Sequence, residues 1–319
     1  MDIHFRIVSS ILVLLALICF AMFLRRIGLL DERDGEIFSK LITNVTLPAL
    51  IFLSMVRTEP RWADVELAGF MAIATLICLA LGWVVGRALK ADAPAMGAII
   101  LCSGVGSSSL LGFALIAQVF PHNQAAMAEA VVLSSLGAMP ILFTIGPLIA
   151  LYYGSTDEAP EGRLRSALSY FYSPIFLSFV AGIAITLSFG VIEHPTYKSI
   201  LDGIHVLGAA NTFLVTLAFG LLLRLEALRA TLVVAFGVGF VKLIVMPVVL
   251  WLQEHTLDLE DWQVDVLVLE GAMPASTLAV ILCSAYGCDA RLGSKIVFFT
   301  TIAAIFTVPL IFELLKALQ

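Results

Sequence analysis

The 319-residue chain is 61% hydrophobic and 13% charged, with a mean hydropathy of +1.04, whereas a water-soluble domain carries about 25% charged residues. That composition excludes an ordinary soluble protein. A helix crossing the hydrocarbon core takes about 20 apolar residues, so ten crossings use roughly 200 to 230 and leave no room for a separate ATPase, kinase or nucleic-acid-binding domain.

Apolar runs predict spans at 7–24, 37–56, 66–86, 94–119, 125–151, 170–190, 203–223, 230–252, 263–285 and 293–315. The first is preceded by Asp2 and a single cation, Arg6, with no small-residue cleavage site after it, so it reads as a span and not a signal peptide. The net charge of −6 is divided between two aqueous faces and has to be read loop by loop. Odd-numbered connections hold Arg25, Arg26, Arg33, Lys40, Arg87, Lys90, Arg163, Arg165, Arg224, Arg229, Arg291 and Lys295; even connections and termini hold only Arg6, Arg57, Arg61, Lys198 and Lys316. Cytoplasmic loops carry the excess of Lys and Arg, so the odd loops are expected in the cytoplasm and both termini outside it.

The longest hydrophilic stretch, 155–165, falls between spans five and six. It divides the chain into a first five-helix repeat at 1–154, a cytoplasmic linker at 155–168 and a second repeat at 169–319. With five spans in each half, such a repeat must be inverted across the membrane. Gly146-Pro147-Leu148-Ile149 in span five matches Val308-Pro309-Leu310-Ile311 in span ten, and Ser108-Ser109-Leu110 in span four matches Ser276-Thr277-Leu278 in span nine. Small-residue helix packing is the competing explanation of such matches.

Two spans carry helix-breaking signals near the midplane. Span four contains Ser103-Gly104-Val105-Gly106-Ser107-Ser108-Ser109, and span nine contains Glu270-Gly271-Ala272-Met273-Pro274-Ala275-Ser276-Thr277. Pro274 removes a backbone donor and clashes with the preceding turn. Irregular backbone at that depth survives only where it is buried in protein or lines a wet cavity. Half-helix N-termini there present free N–H groups and partial positive charge, which suits a carboxylate. Gly106, Ser107, Ser108 and Ser109 are therefore expected to bind an organic anion together with Pro274, Ala275, Ser276 and Thr277.

Lys242 lies near the middle of span eight, where an ammonium needs a partner or water; Glu270 is the nearest acid by depth, so a structural pair and a role in substrate or proton handling are both open. Asn44 and Thr46 in span two, and Asn211 and Thr212 in span seven, occupy corresponding spans and either line the cavity or bond neighbouring helices. The five cysteines show no CxxC spacing and the five histidines no metal spacing. With HExxH also absent, the chain is expected to be no enzyme and to need no cofactor or metal.

Asn44-Val45-Thr46-Leu47-Pro48-Ala49-Leu50-Ile51-Phe52, Val241-Lys242-Leu243-Ile244-Val245-Met246-Pro247, Glu270-Gly271-Ala272-Met273-Pro274, and Tyr286-Gly287-Cys288-Asp289 followed by Thr300-Thr301 and Pro309 together resemble the auxin efflux carrier family, bacterial relatives of the plant PIN carriers. The resemblance covers essentially the whole chain. It implies an all-α polytopic fold of ten transmembrane helices in a 5+5 inverted repeat, similar to the bile acid sodium symporters. Spans one, two, six and seven would form a scaffold through which a homodimer pairs, and spans three to five and eight to ten a mobile transport domain. Spans four and nine would cross at their breaks, with the substrate carboxylate at the crossing. Relatives commonly have Asn at Ser107 and Pro at Ala114. The expected activity is secondary transport of a small organic anion, a dicarboxylate or an auxin-like aromatic acid, across the cell membrane; sodium- or proton-coupled symport is the closest alternative, and a channel or transporter-like sensor is a more remote one.

Overall fold

The computed structural model describes residues 3–57, 62–120, 123–154, 169–190, 194–223, 228–253 and 259–317. Among them, regular structure is helical. Helix α1 is Ile3–Arg26, α2 runs over 32–57 and α3 is Trp62–Ala88. The fourth span is two helices, α4 (Ala93–Gly104) and α5 (108–119), while the fifth is one run, α6 (124–154). Then come α7 (Pro174–Phe189), α8 (Pro195–Leu222) and α9 (228–253). The ninth span is again divided, into α10 (Asp261–Gly271) and α11 (Thr277–Tyr286), and α12 is Ala290–Lys316. The linker expected at 155–168 lies outside the described residues.

Helix starts follow polar caps more closely than apolar content. Asp31 Oδ1 accepts the N–H groups of Arg33 and Asp34 at 2.7 and 3.1 Å, and Asp34 Oδ2 accepts that of Asp31 at 2.7 Å. This capping box begins α2 at Glu32, ahead of the edge expected at 37. Asp92 caps α4 through the Ala95 N–H, and Ser173 caps α7 through that of Phe176. Pro195, pre-set for a first helical turn, begins α8 well ahead of the apolar edge at 203.

Prolines inside α2, α6 and α9 are absorbed without a break. A π-helical turn (Ile42–Thr46, Leu133–Ala138, Val241–Val245) ends just before Pro48, Pro140 and Pro247 respectively. Proline clashes with the carbonyl four residues back, here that of Asn44, Leu136 or Leu243, and each of these falls in the widened turn.

Helix α8 packs on α1 and α2 and α7 packs on α2, α3 to α6 pack with α9 to α12, and α1, α2 and α8 also touch this second group through α5, α11 and α12. Deepest in the second group are α4 and α11, buried continuously from Met96 to Gly104 and from Thr277 to Cys283. By length and composition, six helices among the described residues are able to cross a membrane: Glu32–Leu53, Val65–Ala88, Ala125–Gly154, Pro195–Leu222, Thr231–Gln253 and Ala290–Leu315. Ala93–Gly104, Pro174–Phe189 and Thr277–Tyr286 are shorter apolar helices. Two of these three are half-helices, because the glycine-serine run and Pro274 interrupt the segments that composition alone reads as continuous.

Candidate functional site

Beyond Gly104 the chain leaves helical geometry at Val105, with φ −112° and ψ 129°, and beyond Gly271 the stretch 272–276 is likewise non-helical. The two interruptions lie side by side. Ser107 N–H donates to the Pro274 carbonyl and Ser276 N–H to the Val105 carbonyl, both at 2.9 Å, which makes an antiparallel bridge between Gly106 and Ala275. Backbone groups that lose helical partners in a dry interior must find others, and here each break supplies them to the other. The bridge has a third support that the sequence reading did not single out: the Ala275 N–H donates to Thr300 Oγ1 of α12 at 3.3 Å. The same hydroxyl donates to the Val297 carbonyl at 3.0 Å. The available signal was a pair of hydroxyl residues, Thr300 and Thr301, inside an apolar span.

Of the expected binding residues, Ser107, Ser108, Pro274, Ala275, Ser276 and Thr277 are buried and Gly106 is half-buried. Ser276 caps α11, its Oγ accepting the Leu278 N–H at 3.2 Å. The side chain of Ser109 lies outside the described residues. Helices α5 and α11 both begin at the bridge, so their positive ends converge on it.

Lys242 reaches the bridge from α9. Its side chain is fully buried, and a Cβ at Gly106 would lie 3.1 Å from both Cε and Nζ, so glycine is what permits the close approach. Nζ donates to the carbonyl of Gly271, the last residue of α10, at 2.7 Å, and lies 2.8 Å from Met246 Sδ. A cation at a helix C-terminus is favoured by the dipole, which helps offset the several kcal/mol that desolvating an ammonium costs, an order-of-magnitude figure. Lys242 thus holds the carbonyl next to Glu270 and not the Glu270 carboxylate. Glu270 is 1% exposed, and neither of its carboxylate oxygens has a hydrogen-bond partner. Gly112 and the Ser108 side chain of α5 face it.

The candidates in α2 and α8 separate. Thr46 Oγ1 donates to Asn211 Oδ1 at 2.9 Å, both side chains being buried, and so links the two helices. Asn44 is exposed and donates from Nδ2 to the Lys40 carbonyl of its own helix at 2.8 Å. It does not join the others. The Thr212 side chain lies outside the described residues. Elsewhere, a cleft of about 380 Å³ lined by Met55, Ala68, Ala72, Leu136, Ile183 and Thr186 is almost wholly apolar and offers a carboxylate no counter-charge. Among the described residues, no group of three His, Cys, Asp or Glu is placed to hold a metal ion.

Comparison with known sequences gives one family and several full-length relatives. The family described as membrane transport protein matches residues 6–312. An uncharacterized transporter of Methanocaldococcus jannaschii, MJ1031, is 22% identical over 306 residues, which is 94% of this chain and 96% of the relative. An uncharacterized transporter of Methanothermobacter thermautotrophicus is 24% identical over 311 residues, covering 95% and 96%. The uncharacterized transporter YfdV of Escherichia coli is 23% identical over 314 residues, again covering 95% and 96%.

Proposed function

We propose, from the premise that this chain belongs to the membrane transport protein family, that of the auxin efflux carriers, that it is a secondary carrier of small organic anions working by alternating access. The chain is a membrane transporter of this family. The observation that carries it is the pairing of two helix breaks at Gly106 and Ala275, with two helix N-termini and the Lys242 ammonium directed at one place. Partial and full positive charges converging in a dry site suit a carboxylate.

In this reading the chain crosses the membrane ten times as two inverted five-helix repeats, 1–154 and 169–319, with both termini outside the cytoplasm. Broken spans four and nine cross at the bridge. Helices α1, α2, α7 and α8 form the scaffold, through which two copies pair, and the remaining helices move against it as the transport domain. Gly106, Ser107, Ser108 and Ser109 contact the anion from one side, and Pro274, Ala275, Ser276 and Thr277 from the other. Ser107, where the family resemblance leads to the expectation of Asn, can still hydrogen-bond a carboxylate but offers less reach and no amide donor.

Purified protein in liposomes loaded with unlabelled malate, malonate or indole-3-acetate tests the proposal. Saturable counterflow of the labelled anion is expected, and Pro274→Ala should weaken it by loosening the bridge. Absence of counterflow for every carboxylate, or flux that never saturates, would overturn the carrier reading; the second result is that of a pore.

A further inference from the structure

The buried Glu270 carboxylate has no evident task in anion binding, and a negative charge beside an anion site opposes binding. It sits in the last turn of α10, at the negative end of that helix dipole, where a carboxylate is disfavoured and a cation favoured. The favoured cation is already there: Lys242 Nζ holds the Gly271 carbonyl. The groups facing Glu270 are few. Lys242 is the charged residue of α9 between 230 and 253, and α5 presents Ser108 and Gly112 but no titratable side chain. From α6, Glu129 lies at the far end of α10, accepting a hydrogen bond from Gln263 at 3.0 Å. The charged residues of α12, Arg291, Lys295, Glu313 and Lys316, lie towards its two ends. On α10 itself, Asp265 is more than a helical turn away. Cys78 of α3 faces Lys242.

Resting on the carrier reading above, we infer that Glu270 carries the coupling proton, and that the site moves one proton with one singly charged carboxylate. A site crossing a membrane avoids net charge, because an uncompensated ion in a dry interior is strongly penalised. Empty, the site holds the Lys242 ammonium and the Glu270 carboxylate and is neutral. Loaded, it holds the ammonium, a protonated Glu270 and the substrate carboxylate, and is again neutral. The proton is taken from water on the loading side onto a Glu270 oxygen and returned to water on the other side when the anion leaves. Both unpartnered oxygens are free to take it. Lys242 supplies a fixed cation where a sodium ion would otherwise be needed, so binding sodium as well would leave the site with excess positive charge.

The test uses the whole protein in liposomes with pyruvate as the probe, an internal pH dye, and membrane potential clamped at zero with potassium and valinomycin. One proton should enter per pyruvate. A pH gradient of one unit should accumulate pyruvate about tenfold, a protonophore should abolish the accumulation, and sodium should leave it unchanged. Glu270→Gln makes the loaded site neutral but the empty site positive. Exchange of labelled for unlabelled pyruvate should therefore continue, while net uptake falls by about tenfold or more, since each tenfold needs only 1.36 kcal/mol of added barrier. Net pyruvate uptake without proton movement, sodium-driven uptake, or pH-driven net uptake surviving in Glu270→Gln would overturn the inference and leave the carrier reading standing. No exchange of any carboxylate by the unaltered protein would overturn both. Should Glu270→Gln fail to fold, as judged by size-exclusion profile, Glu270→Asp takes its place: it should keep one proton per pyruvate with the pH of half-maximal uptake displaced, and an unchanged pH profile would overturn the assignment to Glu270.

Discussion

Thr300→Val removes one hydroxyl from beside the bridge and nearly preserves shape. The Ala275 N–H, on a residue 1% exposed, loses its acceptor, and an unpaired buried donor costs about 1–3 kcal/mol. At 3.3 Å the bond is longer than the usual 2.9–3.0 Å, which places the loss in the lower half of that range, about 1–2 kcal/mol. The hydroxyl's second bond adds little, because Thr301 Oγ1 also donates to the Val297 carbonyl, at 2.7 Å. For a chain of this size about 1 kcal/mol shifts the melting temperature by roughly 2 °C, so a fall of about 2–4 °C is expected in detergent. Thr301→Val is the internal control. It loses only a bond to its own helix, a type of contact worth little, and should shift melting by less than about 1 °C. Counterflow should weaken in Thr300→Val and recover in Thr300→Ser, which restores an acceptor. Equal shifts for the two valine variants, or no recovery with serine, would refute the assignment of Thr300 as a positioning residue for the bridge.

Two further outcomes follow from the buried polar groups. Thr46→Val leaves the Asn211 amide oxygen without its donor and should destabilise by about 1–2 kcal/mol, whereas Asn44→Ala, on an exposed side chain that bonds only within its own helix, should change melting by no more than about 0.5 kcal/mol. Lys242→Met and Glu270→Gln should each destabilise, since either leaves one buried charge uncompensated, at about 3–5 kcal/mol as an upper range. The double variant should be more stable than the sum of the two losses predicts, as a thermal-melting cycle would show; strict additivity would mean that the two charges do not sense one another.

Much of the site was legible locally. Glycine runs and prolines act on the backbone within a turn, so Gly104 to Ser109 and Pro274 marked the two breaks without reference to anything distant. Side-chain direction was less legible. Asn44 and Thr46 belong to one motif, but two residues apart on a helix point to nearly opposite sides, and the structure buries Thr46 against Asn211 while Asn44 turns outward. For Lys242 the depth argument named Glu270 as the nearest acid and left a structural pair and a role in substrate or proton handling both open; it could not foresee that the ammonium holds the free carbonyl at the end of α10. Thr300 stood in the sequence only as part of a family motif and was given no role at the site, because a hydroxyl in an apolar helix commonly bonds its own preceding turn, and Thr300 does that as well.

By itself the sequence determined the solvent of this protein, its helical class, the family to which it belongs and the places where two helices must break. The solvent, the helical class and the two breaks follow from composition, periodicity or short-range backbone chemistry, which a linear chain states outright; the family follows from the resemblance of its motifs and the match over residues 6–312. The tertiary structure decided which groups meet. That spans four and nine meet at their breaks was an expectation of the family resemblance; the backbone pairing of Gly106 with Ala275 is visible only in three dimensions, where each break supplies hydrogen-bond partners to the other and Thr300 and Lys242 supply the rest. That mutual need brings the two breaks together, draws Lys242 to the end of α10, and leaves the Glu270 carboxylate buried with both oxygens free.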